Sequence, residues 1–385
     1  MSRLLKGLSL NIIILGIVSL FTDISSEMVF PLLPLFLVIV LGAGPFIVGI
    51  VEGFAESTAS ILKVFSGYWS DKVRKRKSFI FSGYTLSTLS KIGFAFSQVW
   101  QHLFVLRVVE RVGKGLRSAP RDALIAESCR EDAKGKAFGL HRAMDTTGAI
   151  IGPLMAFALL PLLGFRKLFL ASAIPAGIAV LLILFVSESR REIAERDETK
   201  IEFRALPRSL RLFIAIATIF ALGNFSYAFI LLAALRAGIS QEHIILLYLL
   251  FNIVYASFAY PLGVISDRIG RRPVIGIGYL SFAFVCLGFA FLSSPAFVAI
   301  LFAFYGVFHA LVEGSQRAFV SDLALPQLKG TALGAFHTAV GLATLPASLI
   351  AGALWSLSYQ YTFLFGFGLS MTALISLVCI KLQVD

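Results

Sequence analysis

Arg107, Glu110, Arg111, Lys114, Arg117 and Arg121 recur at intervals of three and four residues. On a helix that spacing stacks them along one face. A column of guanidinium, ammonium and carboxylate groups can exchange partners and move protons. Desolvation raises a carboxylate's proton affinity and a neighbouring guanidinium lowers it, so moving one partner couples protonation to shape. Counter-charges stand at i,i+4 spacing in Asp23 and Glu27, and again in Glu52 and Glu56, with Asp145 further along. A second, less charged set aligns Tyr305, His309 and Glu313 with Gln316 or Arg317, and Tyr248 with Asn252 and Tyr255.

The elements that carry these groups are long and apolar. Of 385 residues, 58% are apolar and 15% charged, and the mean hydropathy is +0.86. Water would not dissolve such a chain as a globule, so its solvent is expected to be a lipid bilayer. A spanning helix needs ~20 mostly apolar residues, and suitable stretches follow one another closely. They predict about twelve spans, at 11–40, 45–69, 78–98, 101–126, 137–162, 168–187, 209–235, 243–265, 274–293, 296–323, 331–356 and 361–380. The first stretch lacks a small-residue cleavage site behind it and reads as a retained helix, so no signal peptide is expected.

Basic residues set the orientation. With residue 1 inside, the cytoplasmic loops collect Arg3, Lys6, Lys72, Arg74, Lys75, Arg76, Lys77, Arg130, Lys134, Lys136, Arg190, Arg191, Arg196, Lys200, Arg204, Arg208, Arg211, Arg268, Arg271, Arg272, Lys329 and Lys381. The outer loops hold only Arg166, Lys167 and Arg236. Both termini are therefore expected in the cytoplasm. The net charge of +12 reads as positive-inside bias and not as a nucleic-acid footprint. Lys63, Lys91, Arg142 and Arg317 join the charged column as basic residues inside predicted spans. Such charges are costly in lipid and normally face a bundle interior or water. Some can equally be permanent ion pairs that assemble helices.

The longest polar interval, from Ser187 to Pro207, divides the spans evenly. It suggests a bundle over 1–187, a cytoplasmic linker over 188–207 and a second bundle over 208–385. Internal similarity agrees: GYWSDKVRKRK from Gly67 echoes GVISDRIGRRP from Gly263, and Gly135 to Gly139 echoes Gly330 to Gly334.

At these residues the chain resembles the major facilitator superfamily, whose loop after the second span carries G-x-x-x-D-(R/K)-x-G-(R/K)-(R/K). Gly263, Asp267, Arg268, Gly270, Arg271 and Arg272 match throughout. Gly67, Asp71, Lys72, Lys75 and Arg76 match too, but Arg74 stands where the family usually has glycine. Arg111-Val-Gly-Lys-Gly115 resembles the fourth-span motif, with Lys114 in place of a common glutamine. Gly148, Gly152 and Pro153 resemble the core of the antiporter motif, with Ala156 where another glycine often stands. The segment beginning at Arg111 is similar to prokaryotic members of unassigned substrate.

The resemblance implies an all-α membrane protein: about twelve transmembrane helices in two bundles around a central cavity, working by alternating access. It implies that the first, fourth, seventh and tenth spans line that cavity. Asp23, Glu27, Glu56, Arg111 and Asp145 are then the candidate proton-coupling residues. Arg107, Glu110, Lys114, Arg117, Asn224, Tyr227, Asn252, Tyr255, Tyr305, His309 and Glu313 are candidate cavity residues. Asp71, Lys72, Arg76, Asp267, Arg268 and Arg271 are candidates for a conformational latch, because a carboxylate near a helix end can pair with loop guanidiniums. Gly148, Gly152 and Pro153 are expected to pack helices and to seal the contact between bundles.

The expected function is secondary active transport of a small solute, as proton-coupled efflux. Uptake or exchange of an organic anion is the alternative, since intramembrane cations exceed what a neutral-drug cavity needs. A receptor-like protein that moves no solute is the alternative of another class. An enzyme is not expected, for no nucleotide loop or spaced nucleophile and base is evident. Cys129, Cys286 and Cys379 suggest neither disulfides nor a metal site, and no cofactor is implied. The expected partners are solute, protons and the bilayer of a prokaryotic plasma membrane, with the chain acting as a monomer.

Overall fold

The computed structural model describes residues 9–73, 75–129, 133–188, 206–325 and 328–380. Arg74, residues 189–205 of the expected linker, and Arg3, Lys6, Arg130, Arg190, Arg191, Arg196, Lys200, Arg204 and Lys381 lie outside the described residues. Among the described residues the regular structure is helical throughout, and nine helices are long and apolar enough to cross a membrane.

In chain order the helices are α1 (Leu10–Val29), α2 (Leu33–Leu35), a π-helical turn (Phe36–Val40), α3 (Pro45–Val73), α4 (Arg76–Ala95), α5 (Trp100–Glu127), α6 (Lys134–Ile183), α7 (Arg208–Gly223), α8 (Ala228–Arg236), α9 (Gln241–Ile269), α10 (Arg271–Phe291), α11 (Pro295–Leu323), α12 (Lys329–Leu357) and α13 (Tyr359–Cys379). The apolar runs make helices because a backbone in lipid must satisfy its own hydrogen bonds. Where the pattern breaks, the chemistry is visible. α6 is one run of 50 residues interrupted at Gly164, whose φ of 66° and ψ of 173° suit a residue without Cβ. Gly270 joins α9 to α10 at φ 97° for the same reason. α4 and α5 are absent from the nine apolar helices; in α5 the charged column lowers the mean hydropathy.

Packing divides the chain into two compact units, Met1–Leu37 with Thr58–Asp197, and Val38–Ser57 with Glu198–Asp385. α3 contributes to both. In the first unit α1 packs along α6, and α4 packs on α5 and α6. Its apolar core includes Ile12, Leu15, Val18, Ile80, Tyr84, Leu124, Ile125, Ala137 and Ile183. In the second unit α11 packs on α9 and α10, while α13 packs on α7, α10 and α12.

The α1–α6 contact is close because glycines form it. A Cβ on Gly148 would lie 2.7 Å from Asp23 Cβ and 2.8 Å from the Leu20 carbonyl oxygen. One on Gly152 would lie 2.6 Å from Glu27 Cβ. Small residues permit such approach, the usual means of gaining packing energy between helices in lipid. Gly148 and Gly152 therefore face α1 of their own unit.

Candidate functional site

In the first unit, α5 turns its charged column inward. Arg107, Glu110, Arg111 and Arg117 are buried, while Lys114 and Arg121 are partly covered. Arg107 Nη1 donates to Glu110 Oε2 at 3.0 Å, and Arg111 Nε stands 3.5 Å from the same oxygen. Helical spacing places Arg107 next to Glu110 and Arg111, three and four residues on, while Arg111 adjoins Glu110 directly in the chain. Phe30 covers it: its ring centroid is 4.7 Å from the Arg107 guanidinium carbon, 4.6 Å from that of Arg111 and 5.8 Å from Lys114 Nζ. An aromatic face offers these cations negative quadrupole density without a counter-ion.

Further along α5, Arg117 donates to Ser87 Oγ at 2.5 Å and lies 4.4 Å from the Tyr84 ring. Lys91 of α4 is fully buried and donates to Ser25 and Ser26 of α1 at 2.8 and 3.0 Å. Asp23 and Glu27 are half-buried against α6. Asp23 lies within electrostatic reach of Asp145, Glu27, Arg121 and Lys114. Asp145 itself accepts a short hydrogen bond from Ser19 Oγ. Among the proton-coupling candidates, the first unit thus brings Asp23, Glu27 and Asp145 to the α1–α6 seam and Arg111 to the buried triad. Glu56 lies on the stretch Val38–Ser57, which packs with the second unit.

The second unit holds an aromatic cluster. The His309 ring meets Tyr305 at 4.7 Å, Phe308 at 4.8 Å, Phe251 at 5.3 Å and Tyr255 at 6.2 Å. Tyr255 donates its hydroxyl proton to Glu313 Oε2 at 2.6 Å, and Glu313 also pairs with Arg317. Tyr227 stands 5.8 Å from Tyr248. Asn224 follows the last turn of α7, and Asn252 lies half-buried one turn before Tyr255.

The loop motifs build two ion-pair groups of one design. Arg76 meets Asp71 at 2.9 Å and Glu127 at 2.7 Å. Arg271 pairs with Asp267 and reaches Asp322 at 3.3 Å. The arm comes five residues after the aspartate in the first copy and four in the second, so the copies differ in register where Arg74 replaces glycine. Arg272 instead donates to the Leu377, Val378 and Ile380 carbonyls at the end of α13. Lys72 lies near the Tyr68 ring, and Arg268 sits exposed at the end of α9. Glu127 and Asp322 were not foreseen from the sequence. Their signal was available, for both lie at the ends of helices that occupy equivalent places in the two repeats.

The comparisons agree with one another. The model of the Major Facilitator Superfamily matches residues 15–233 and again 212–384. An uncharacterized MFS-type transporter of Methanocaldococcus jannaschii is 43% identical over 96% of this chain and 94% of its own. Multidrug resistance protein 2 of Bacillus subtilis is 24% identical over 89% of this chain and 90% of its own. Among solved structures, a point mutant of the nucleoside transporter NupG superposes with a TM-score of 0.82, covering 96% of this chain and 99% of that one at 16% identity. At that identity the likeness is one of fold.

Proposed function

This chain belongs to the Major Facilitator Superfamily and is a multi-pass membrane transporter, and from that premise we propose that it exports a small solute in exchange for protons. The observation that carries the reading is that Asp23 lies within electrostatic reach of Glu27 and Asp145 and of the cations Lys114 and Arg121 inside one unit. Carboxylates so placed have a proton affinity that depends on where the cations stand. Rearranging α1 against α5 would then load or release a proton. Arg111 acts through the triad with Glu110, exchanging partners as the site opens to one side of the membrane and then the other. The rings around His309, with Tyr255 and Glu313, supply solute contacts.

The proposal includes about twelve crossings in two bundles, 1–187 and 208–385, joined by a linker over 188–207, with both termini in the cytoplasm of a prokaryotic cell. The break at Gly164 supports counting α6 as two crossings, and the lengths of α4 and α5 support counting them despite their charges. The ion-pair groups at Arg76 and Arg271 would act as latches on the cytoplasmic ends. Export is favoured by the Gly148, Gly152 and Pro153 motif and by the relative described as a multidrug resistance protein.

A second reading has its own observation. Lys91, Arg107, Arg111 and Arg117 are buried in the first unit, where Glu110 is the one buried carboxylate among the described residues. Such an excess suits an organic anion taken up or exchanged. A screen for compounds that raise the melting temperature of the purified protein would supply candidate solutes. Their movement into or out of proteoliposomes under an imposed pH gradient then tests the proposal. Export coupled to inward proton flow supports it; uptake of an anion, or movement indifferent to pH, selects the rival or neither.

A further inference from the structure

His141 takes no part in the account so far. It lies on α6, two turns past Lys134, and is 6% exposed. Its Nδ1 stands 3.5 Å from Asp145 Oδ2. Its Nε2 is buried and has no hydrogen-bond partner. A buried polar atom left unsatisfied is costly, and a ring nitrogen in that position beside a carboxylate is chemically able to take a proton.

The surroundings form a column. Parallel runs of α1 and α6 set Ser19 against Asp145, Asp23 against Gly148 and Glu27 against Gly152. His141 continues this series one turn before Asp145, toward the helix ends that the basic residues place in the cytoplasm. From the level of Gly152 to that of His141 the column runs ~16 Å along the helix axis. The charged groups that face His141 are Asp145 and Arg142 on its own helix and Arg121 and Asp122 on α5. From α1, Asp23 faces Asp145.

We propose that His141 and Asp145 form the inner end of a proton path whose outer members are Asp23 and Glu27, with His141 Nε2 exchanging protons with cytoplasmic water when that end opens. A proton leaving Asp23 passes to the Asp145 carboxylate and then to Nδ1, giving an imidazolium. The Nε2 proton then departs to water, and water-mediated tautomerisation, which moves the remaining proton from Nδ1 to Nε2, restores the starting state. The net charge of the pair is the same before and after a transfer. Arg121 balances the Asp145 charge between transfers, and Ser19 fixes the orientation of its carboxylate.

This inference rests on the proton-coupled reading above, and its test separates the two. The full chain, labelled with 15N in its histidine rings and held in lipid nanodiscs, is titrated over roughly pH 3–9 and followed by NMR. H141Q identifies the resonance by its loss. The expected result is that the His141 ring nitrogens titrate and that D145N displaces their midpoint. A His141 signal constant over the range, or unaltered by D145N, overturns the proposal. In parallel, proteoliposomes enclosing the pH dye pyranine and loaded with a solute from the stability screen report proton entry under an imposed pH gradient for wild type, H141Q and H141N. Entry in wild type with at least a tenfold slowing in both variants supports the path. Equal entry in all three overturns it while leaving proton coupling intact, and no entry even in wild type defeats the coupled reading itself.

Discussion

Replacing Glu110 by glutamine retains its shape and takes away one charge at the point where two guanidiniums converge. Glu110 is 1% exposed and Arg107 is 0% exposed, so solvent screening offers little discount. Removing one member of a buried pair costs about 3–5 kcal/mol, because it leaves the other charge poorly compensated. Glutamine keeps an acceptor toward Arg107, which argues for the lower end. About 3 kcal/mol lowers the folded-to-unfolded ratio by roughly a hundredfold. The Phe30 ring compensates only in part, since a cation–π contact is worth about 2 kcal/mol when desolvated. Reversible unfolding in mixed micelles, followed by circular dichroism, measures the loss. The R107Q variant and the double variant E110Q/R107Q complete a cycle, and the coupling between them should be about 1–3 kcal/mol. Stability of E110Q within about 0.5 kcal/mol of wild type, or strict additivity in the cycle, would refute the assignment of Arg107, Glu110 and Arg111 to one buried unit.

Gly148→Ala should destabilise by about 1–3 kcal/mol through overpacking against Asp23 and Leu20, whereas Gly139→Ala, with nothing within 4 Å of its added Cβ, should be nearly silent; the melting temperatures of the two variants decide. R76Q and E127Q should alter the transport rate alike, with the double variant no worse than either, since both sever one ion-pair group; divergent effects would break the latch reading. The energy at stake there is within ~1 kcal/mol, because the Asp71 and Glu127 side chains are 55% and 29% exposed, so a change in rate with little change in stability is expected. Y255F removes a hydroxyl donor to Glu313, and the half-exposed carboxylate keeps the cost well below the ~3 kcal/mol of a sealed charged hydrogen bond; a larger loss of thermal stability would show that this cluster is structural.

Much of the fold was legible because lipid imposes one solution on the backbone. Runs of apolar residues had to become helices, and the paired loop motifs at Gly67 and Gly263 marked the family. The charged spacing from Arg107 to Arg121 also announced a single face. Partners across helices were harder to read, since they depend on how each helix is rotated against its neighbour. Nothing local in Phe30 announces that it lies over two guanidiniums, or in Glu127 that it meets Arg76 from the end of another helix. The contact of Gly148 and Gly152 with α1 likewise follows from packing and not from the motif that singled them out. His141 did not stand out because, with no nucleophile or metal ligand at a recognisable spacing, a single histidine announces no role. Its open Nε2 is visible only once the surrounding side chains are in place.

Proton coupling through the carboxylates of α1 and α3 is best tested by substituting Asp23, Glu27 and Glu56 together with their amides. Wild-type and triple-variant chains would be reconstituted with pyranine inside, and a solute from the stability screen supplied against an imposed pH gradient. Proton entry tied to solute movement in wild type, and abolished in the triple variant while solute-for-solute exchange continues, is the expected result. Undiminished proton entry in the triple variant would contradict the account.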